Sequence, residues 1–475
     1  MARIVLLSVC GLAFVAVVAS GQNRITSGAP KKLFNEHCAS CHGEDLNGGM
    51  GGSLLKDEWT QLEESQSFIE YVQDGNEEMG MPPFEEALSE KQIRSLEIYI
   101  DEVARKTERE ERPVVDKSDG LYSAGGYEFK LETVVDGLSV PWAIAFLPEG
   151  GYLITERSGA LRIYRDGRLQ EPVEGVPDVW QHGQGGLLEV ALHPEYEENG
   201  WVYLGYSEKS ETSKGRARGI TKVVRGRIDD NTWRDEEALF EAPDEYHSSS
   251  GVHYGTRFVF KDGYLFFSIG DRGAKAQAQD KTRPNGKIHR IFVDGRTPED
   301  NPFADEEDAY PTIWTYGNRN PQGLDKHPQT GEIWASEHGP RGGDEINLIE
   351  KGNNYGWPVI TYGMNYNGTP ITEKTSAPGM EQPAHYWTPS IAVCGMDFYE
   401  GDIFPEWKNN LMVGGLASQE LHRLVIEGDA VVEDEIILEG EGRVRDVASG
   451  PDGHLYVVLN GPGRVVRLVP GSLSD

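Results

Sequence analysis

One two-strand pattern recurs six times between residues 145 and 457 and restricts the folds open to this chain. Each copy has an alternating apolar strand, a turn that often contains Pro or Gly, and a second alternating strand. Equivalent positions are separated by 46 residues (146 to 192) at the closest and 73 residues (324 to 397) at the widest. These positions are Phe146, Leu192, Val259, Leu324, Asp397 and Val447. Strands repeated at this period are typical of propeller blades with inserted loops, whereas a β-sandwich needs no internal similarity. We therefore predict an all-β, six-bladed β-propeller over residues 126–475.

The charge of the chain argues against two classes of partner. Its 475 residues carry 78 acidic and 45 basic side chains, which gives a formal net charge of −33. Nucleic acids bind basic surfaces that displace their counterions, and anionic membranes attract the same kind of surface. We therefore expect no nucleic-acid partner and no docking on an anionic membrane.

The first 21 residues have the layout of a secretory signal peptide. Arg3 precedes an apolar run over residues 4–18, and small residues follow at 19–21. An uncleaved membrane anchor is the alternative, but the run falls at or below the ~17–25 apolar residues that span a bilayer. We expect cleavage of residues 1–21, a periplasmic or secreted mature protein, and no stable membrane insertion.

A C-x-x-C-H sequence follows, formed by Cys38, Cys41 and His42. Two cysteines three residues apart lie on one turn of a helix, so both sulfurs can reach the two vinyl groups of one haem while His42 binds the iron. A redox-active pair or half of a zinc site are the alternatives. Zinc would need a second ligand pair nearby, and no other cysteine lies in this part of the chain. The motif therefore predicts covalently bound haem c.

The sequence Gly-Met-Pro-Pro-Phe over residues 80–84 resembles the sixth-ligand loop of class I c-type cytochromes. Met81 is the preferred iron ligand because Pro-Pro-Phe follows it, and Met50 and Met79 are the rivals. A Met opposite a His raises the reduction potential of haem. Helices are expected around the two motifs, at 31–37, 66–73 and 89–103. We predict a small all-α cytochrome c domain over residues 22–105.

Residues 106–125 are predicted to be a linker. The stretch is rich in charged residues, lacks a sustained apolar face and contains Pro and Gly. Such a composition favours a hinge between domains. A solvated end of the last cytochrome helix is the alternative.

Several loops of the predicted propeller carry unusual motifs between their strands. They are GQGG at 183–186, HYGTR at 253–257, GDRG at 270–273, RNPQG at 319–323, EHGPRGGDEIN at 337–347, NYGWP at 354–358 and RVRD at 443–446. Together these motifs resemble the soluble, pyrroloquinoline quinone (PQQ)-dependent glucose and aldose sugar dehydrogenases of the glucose/sorbosone dehydrogenase family. The resemblance covers residues 130–470 and implies a six-bladed propeller.

The resemblance implies how the cofactors are held. PQQ is a tricarboxylate, so an acidic protein must supply local cations to bind it. Arg443 and Arg445 lie two apart in an extended segment and should project to one side. By resemblance they hold PQQ together with Arg319 and Asn320, which lie near the quinone oxygen. The backbone carbonyls of Gly339 and Pro340 correspond to calcium ligands, and carbonyl oxygens suit this cation.

The resemblance also implies catalytic roles. His253 corresponds to the base that takes the proton of the anomeric hydroxyl, and Asp271 to the carboxylate that orients it. Arg319 faces the charge that develops on the quinone. Gln184 corresponds to a residue beside the base and the substrate, and Trp387 to a wall of the sugar site.

Two positions depart from the glucose dehydrogenase branch of the family. Ala417 stands where that branch has a Lys that contacts the cofactor, and Val252 stands where it has an Asp before the base. These differences move the prediction from glucose towards the broader aldose branch.

The implied protein is an exported quinohaemoprotein that oxidises an aldose at the anomeric carbon to a lactone. Hydride would pass to PQQ, and electrons would then pass to the fused haem and to an external electron acceptor. A calcium-dependent lactone hydrolase and a non-catalytic sugar-binding propeller, each with a redox-sensing cytochrome, remain as alternatives. The oligomeric state is left open.

Overall fold

The computed structural model describes residues 29–55, 67–111, 115–118 and 120–471. The predicted signal peptide at residues 1–21 lies outside the described residues. Within them, no helix combines the length and the apolar character needed to cross a bilayer.

The N-terminal part is a small all-α domain, as the sequence predicts. It contains α1 (Ala29–His37), α2 (Ala39–His42), α3 (Phe68–Asp74) and α4 (Glu90–Glu111), with a 3-10 turn at Glu77–Met79. Phe34, Val72 and Leu96 meet in one apolar core contributed by three of these helices. Ser67 and Glu70 exchange side-chain to backbone hydrogen bonds in a capping box, which fixes the start of α3.

Helix α4 is longer than the predicted helix over residues 89–103. It continues to Glu111, and ion pairs between Asp101 and Arg105 and between Lys106 and Glu110 support its charged end. Strands β1 (Asp116–Ser118) and β2 (Leu121–Ala124) pair with each other further along. The segment predicted as a linker, residues 106–125, is thus partly helix and partly strand, and the alternative of a helix end applies to residues 106–111.

Six antiparallel sheets form the blades, in agreement with the six repeats. Blade one contains β4 (Pro141–Phe146), β5 (Tyr152–Glu156), β6 (Leu161–Arg165) and β7 (Arg168–Leu169). Blade two contains β8 (Leu187–Leu192), β9 (Val202–Glu211), β10 (Ala217–Asp229) and β11 (Thr232–Phe240). Blade three contains β12 (Phe258–Lys261), β13 (Tyr264–Ile269), β14 (Lys287–Phe292) and β15 (Ile313–Tyr316). Each predicted repeat is the first two strands of a blade.

The remaining blades follow the same order. Blade four contains β16 (Pro321–Lys326), β17 (Ile333–Glu337), β18 (Asp344–Ile349) and β19 (His385–Trp387). Blade five contains β20 (Val393–Phe398), β21 (Leu411–Gly415), β22 (Glu420–Glu427) and β23 (Ala430–Glu439). Blade six contains β24 (Val444–Ser449), β25 (Leu455–Asn460) and β26 (Gly463–Pro470). Short helical turns occur between strands at α5 (Tyr196–Asn199), Asp244–Tyr246, Lys275–Gln279 and Pro405–Trp407.

The ring is closed by a strand from the start of the propeller. Strand β3 (Tyr127–Val135) pairs antiparallel with β26, with Thr133 opposite Val466, and β1 and β2 extend the same sheet. The two ends of the propeller thus share blade six. The repeats did not reveal this closure because β3 precedes the first copy of the pattern.

The first strand of each blade lies innermost, and these six strands contact one another around the ring. Five of them begin with an irregular register, at 141/144, 187/189, 321/323, 393/396 and 444/446. Such bulges bend a strand and redirect its side chains. In an antiparallel blade, the loop before the first strand and the loop after the second lie at the same end. All of the family motifs apart from NYGWP occupy these two kinds of loop, so they converge around the axis.

Candidate functional site

His253 and Asp271 form the centre of the site. His253 lies in the loop before β12, and Asp271 follows β13 of the same blade. The Nδ1 atom of His253 is 2.6 Å from Oδ1 of Asp271. The Asp271 side chain is fully buried, whereas 14% of the His253 side chain is exposed. The histidine is therefore partly accessible to solvent while its partner is shielded from water.

Asp271 is held by two further donors. Trp357 donates its indole N–H to Oδ2 at 2.8 Å, and the backbone N–H of Gly273 donates to Oδ1 at 2.7 Å. Burial acts to raise the pKa of Asp271, but the hydrogen bonds and positive charges around it outweigh burial and lower that pKa. The carboxylate is therefore ionised and fixed in orientation.

This arrangement sets the protonation state of His253. Burial lowers the pKa of His253, Asp271 acts in the opposite direction, and nearby Arg319 lowers the pKa further. The net direction is downward, so the imidazole is neutral at neutral pH. With Nδ1–H donated to Asp271, Nε2 carries the free electron pair and can accept a proton.

The loop that carries His253 has an unusual backbone. His253 has a φ of 55° and Thr256 a φ of 75°, a region that a β-branched residue rarely adopts. Gln184 accepts a hydrogen bond from the His253 backbone N–H at 2.8 Å, and Asn320 accepts one from Gly255 at 3.0 Å. The structure thus brings Gln184 and Asn320 together with the predicted base. Both residues hold the loop in its strained conformation.

Arg272 binds the backbone of this loop. No role for it was predicted from the sequence. Its side chain is 1% exposed and lies 3.3 Å from the centre of the Tyr254 ring. It donates to the backbone carbonyl of Ser250 at 2.6 Å and to that of Val252. The only sequence feature that could have indicated this role is the position of Arg272 next to Asp271 in the GDRG motif.

Cationic and unsatisfied polar groups surround the pair. Arg319 is 5% exposed and donates through Nη1 to the His338 carbonyl at 2.7 Å. The Nε atoms of Arg319 and Arg445 and the Nε2 atom of His338 are buried without a hydrogen-bond partner among the described residues. Burial and the charges of Arg445 and Arg319 hold the pKa of His338 well below its usual range. These partnerless nitrogens belong to residues whose charges act on one another, and such a group indicates a site for a polar ligand.

Arg445 and Arg443 differ in their environment. Arg445 lies at the bulge in β24, is 7% exposed, and donates to Gln322 and to the sulfur of Cys394, each at 3.1 Å. Burial lowers its pKa to about 10, so it stays charged. Arg443 precedes the strand and is exposed, but its charge also contributes to the low pKa of His338. Besides burial, both arginines therefore lower the pKa of His338, and their projection to one side stays a prediction.

The loop after β17 presents two unpaired carbonyl groups. Gly339 and Pro340 are buried, and no described residue donates a hydrogen bond to either carbonyl oxygen. The Gly339 N–H is bound by the carboxylate of Asp344 at 2.8 Å, which fixes the turn. A Cβ atom at Gly339 would lie 2.1 Å from the Gly343 carbonyl oxygen, so only glycine fits. Buried, unpaired carbonyls match the ligand type that calcium prefers.

The side chains of two residues singled out from sequence, Trp387 and Ala417, have other surroundings. Trp387 donates its indole N–H to Asp434 at 2.8 Å and packs against His422, in the core between blades four and five. Its backbone carbonyl accepts a hydrogen bond from the Gly343 N–H at 2.8 Å, so the backbone of Trp387 adjoins the loop at residues 339–343 while its indole lies in the core. Ala417 is exposed in the turn after β21.

Lys275 is a further cation near the site. Burial lowers its pKa, Arg319 lowers it further, and Asp271 acts in the opposite direction.

The helical domain presents the predicted haem ligands. Nδ1 of His42 lies 2.9 Å from the Gly52 carbonyl oxygen, so that Nδ1–H is donated there and Nε2 is left for the iron. Cys38 and Met81 both pack against the apolar core of the domain. The rival methionines, Met50 and Met79, are 86% and 79% exposed. These environments favour Met81 as the sixth ligand.

Comparison with known families decides the class of the propeller. The sequence matches the glucose/sorbosone dehydrogenase family over residues 138–467, more than half of the chain. The chain belongs to this family. Residues 27–100 match the cytochrome c oxidase, cbb3-type, subunit III family, so a cytochrome c domain precedes the dehydrogenase domain.

Individual relatives support the same assignment. The aldose sugar dehydrogenase of Escherichia coli is 42% identical over 367 residues, which cover 75% of this chain and 97% of that protein. The crystal structure of the Escherichia coli enzyme in its apo-form gives a TM-score of 0.68 at 43% identity, over 72% of this chain and 99% of that one. The PQQ-bound form of an aldose sugar dehydrogenase from Streptomyces coelicolor gives a TM-score of 0.59 at 27% identity, over 72% and 98%. The predicted fold and family are therefore confirmed.

The dehydrogenase domain contains functional candidates that sequence reasoning missed. Trp357, Arg272 and His338 each lie inside a motif that the sequence singled out, but no role followed from the motif alone. Across the described part of the chain, no group of three or more His, Cys, Asp or Glu side chains is arranged to hold a metal ion. The lactone hydrolase alternative needs an acidic cage of this kind.

Proposed function

We propose that this protein is an exported quinohaemoprotein that oxidises an aldose at the anomeric carbon to the lactone, using PQQ, calcium and haem c. The observation that carries the proposal is the position of the orphaned donors of Arg319, Arg445 and His338 beside the His253–Asp271 pair. A cationic pocket next to a neutral, oriented base suits an anionic cofactor and a substrate that loses a proton. Among relatives, the quinoprotein glucose dehydrogenase B of Acinetobacter calcoaceticus is 25% identical over 429 residues, which cover 73% of this chain and 88% of that protein.

The chain's own residues supply the acid–base chemistry. Nε2 of His253 accepts the proton of the anomeric hydroxyl as the carbon is oxidised, and Asp271 stabilises the imidazolium that forms. Gln184 and Asn320 keep the His253 loop in place, so the base does not need to reorganise during the reaction. Arg319 adds positive charge near His253, which favours loss of the proton by the histidine after turnover.

The same group of residues would suit the two cofactors of the dehydrogenase domain. Arg319, Arg443 and Arg445 would hold the carboxylates of PQQ, and the carbonyl oxygens of Gly339 and Pro340 would hold calcium. When bound, PQQ accepts a hydride from the sugar and calcium polarises the quinone as a Lewis acid. Cys38 and Cys41 would bind haem c covalently, with His42 and Met81 as its axial ligands.

Replacement of Asp271 by asparagine tests the pairing with His253. We expect kcat/KM for the aldose to fall by about 100-fold, because an oriented base contributes roughly this much or more. The Asp271 carboxylate acts to raise the pKa of His253, so its removal lowers this pKa further. The acid limb of the pH profile of kcat/KM should therefore move to lower pH. A profile that moves to higher pH would contradict the pairing.

Replacement of Met81 by alanine tests the haem ligand. A thioether ligand raises the potential of haem, so its loss should lower the reduction potential measured by spectroscopic redox titration. Met50→Ala and Met79→Ala are matched controls because both side chains are exposed, and they should leave the potential unchanged. A drop in potential in Met79→Ala with none in Met81→Ala would assign the ligand to Met79.

Reconstitution tests the function as a whole. Protein prepared without PQQ is incubated with PQQ and calcium, and a panel of aldoses is supplied together with an artificial redox dye. Dye reduction together with lactone formation, both dependent on PQQ, is the expected result. Lactone hydrolysis without dye reduction would favour the hydrolase, and sugar binding without any turnover would favour a binding propeller.

A further inference from the structure

Helix α4 of the cytochrome domain is buried on two faces. Ile93, Leu96 and Ile100 face the apolar core of their own domain. A second row of residues, spaced three or four positions apart, lies along a different side of the helix. This outer row consists of Lys91, Arg94, Ile98, Glu102, Arg105 and Arg109. Arg94, Ile98 and Glu102 are at most 5% exposed, and Ile98 does not belong to that core, so the middle of the outer row is covered by something else.

The propeller covers the outer row through a buried ion pair. Arg341 of blade four donates through Nε and Nη2 to the carboxylate of Glu102, at 2.9 and 2.7 Å. The side chains of Glu102 and Arg341 are 0% and 12% exposed. A fork of two charge-assisted hydrogen bonds fixes orientation as well as distance. Removal of one partner leaves an uncompensated buried charge, so this pair is strongly interdependent.

Further contacts extend along the whole helix. Arg94 is 5% exposed and donates to the Thr361 carbonyl at 3.3 Å. The other contacts are an ion pair between Lys91 and Glu373 at 3.6 Å, the guanidinium of Arg105 at 5.8 Å from the Tyr386 ring centre, and an ion pair between Arg109 and Glu420. Every charged residue of the outer row thus has a partner on the propeller.

The loop that binds Glu102 is also part of the candidate cofactor site. Arg341 directly follows Pro340, and its backbone N–H and carbonyl pair with Met364 at 3.0 and 2.9 Å. Two residues before Pro340, the carbonyl of His338 accepts from Arg319. One short loop therefore touches the cation cluster on one side and helix α4 on the other.

The haem motif lies on the inner side of the same helix. Cys38 and Met81 pack into the cluster that contains Ile93, Leu96 and Ile100. Helix α4, about 10 Å across, thus packs against the core that Cys38 and Met81 contact on one side and binds Arg341 on the other. Electron transfer slows steeply with distance, so this geometry favours direct transfer across α4.

We propose that the outer row of α4, fixed by the Glu102–Arg341 pair, docks the cytochrome domain on the cofactor loop and makes the haem the immediate electron acceptor. This inference rests on the function proposed above, and it assigns Glu102 and Arg341 as positioning residues. Per sugar, two electrons leave the reduced quinone one at a time, each with release of a proton, and each reduces ferric haem to ferrous haem. An external one-electron acceptor reoxidises the haem between the two transfers.

The experiment compares full-length variants. Glu102→Arg places like charges together, and the doubly exchanged Glu102→Arg/Arg341→Glu restores opposite charges. Glu102→Gln is a milder variant in case Glu102→Arg does not fold. Glu110→Arg is the matched control, because it reverses a charge on the same helix at a side chain that is 67% exposed and pairs with Lys106, outside the outer row.

Two readouts separate docking from catalysis. Small-angle X-ray scattering of haem-loaded, PQQ-free protein reports whether the cytochrome domain stays docked. Stopped-flow absorbance of PQQ-loaded protein mixed with aldose reports haem reduction, with dye reduction measured in parallel. Glu102→Arg should enlarge the maximum dimension of the protein in solution. It should also slow haem reduction by about 100-fold, because it breaks a buried ion pair. Dye reduction should match the wild type, and the double exchange should recover haem reduction.

The outcomes distinguish this inference from the proposed function. Absence of dye reduction in the wild-type protein would contradict the proposed function itself. The docking inference alone would be overturned if Glu102→Arg and Glu102→Gln both reduce the dye normally, reduce the haem at the wild-type rate and show unchanged scattering. Slow haem reduction in Glu110→Arg equal to that in Glu102→Arg would also overturn it, because the effect would then be general to the charge of the helix.

Discussion

Replacement of His253 by asparagine is expected to lower kcat/KM for the aldose by about 10²–10⁴-fold, the usual contribution of a general base. The structure makes His253 suitable for this role, because its Nδ1–H is donated to Asp271 and Nε2 keeps a free electron pair. Asparagine is chosen because it tolerates the positive φ at this position and can still donate to Asp271. The variant therefore removes the base and retains the loop.

Two measurements make this result specific. Calorimetric titration of PQQ into the His253→Asn variant should give an affinity close to that of the wild type, because the asparagine leaves the cation cluster intact. His193→Gln is a suitable control, since His193 accepts a hydrogen bond from the Glu195 backbone on blade two, apart from the cofactor pocket. Wild-type turnover in His253→Asn would rule out His253 as the base.

The second large effect is expected from Arg445→Met. Arg445 is buried, keeps its charge, and has an Nε atom without a partner among the described residues. Methionine retains an unbranched stem to pack on the Trp142 ring, whose centre lies 3.9 Å from the guanidinium. Loss of charge-assisted hydrogen bonds should weaken PQQ binding by about 10–100-fold. Titration of PQQ into the apoprotein measures this directly.

Controls for Arg445 separate binding from folding. Arg168→Met changes an exposed arginine on the outer strand of blade one and should leave PQQ affinity unchanged. Arg445→Lys keeps the charge but not the fork of donors, and we expect an intermediate affinity. Thermal unfolding of the apoprotein shows whether Arg445→Met is folded. A folded Arg445→Met variant with wild-type affinity would remove Arg445 from the cofactor site.

The sequence predicted the blades well because their pattern is local. Each repeat contains a turn and two alternating strands, which is enough to recognise the inner half of a blade. The order of the family motifs was equally informative, since loops at one end of each blade must converge. His253, Asp271, Gln184 and Asn320 therefore come together in the structure as expected.

Features that depend on distant contacts were missed. The pairing of β3 with β26 joins residues at opposite ends of the propeller, and no local pattern announces it. The role of Trp357 depends on a single hydrogen bond to Asp271 across 86 positions of sequence. Trp387 was assigned by resemblance to the sugar site; its side chain lies in the core, and its backbone contacts Gly343 of the cofactor loop. The placement of Trp387 at the sugar remains a prediction.

The net charge of −33 gives no sign of the cationic site. Whole-chain charge is an average, and the pocket formed by Arg319, Arg443 and Arg445 is small. Arg319 and Arg445 are also buried, so a composition argument about partners did not extend to the proposed anionic cofactor. The motifs, rather than the charge, located this site.

The most direct test of the account is the absorbance of the haem in PQQ- and calcium-loaded protein after addition of an aldose, without any dye or other mediator. The account predicts that the haem becomes reduced within the same molecule, at a rate independent of protein concentration. Oxidised haem in a sample that reduces an artificial dye would contradict the transfer of electrons from the dehydrogenase domain to its own cytochrome domain.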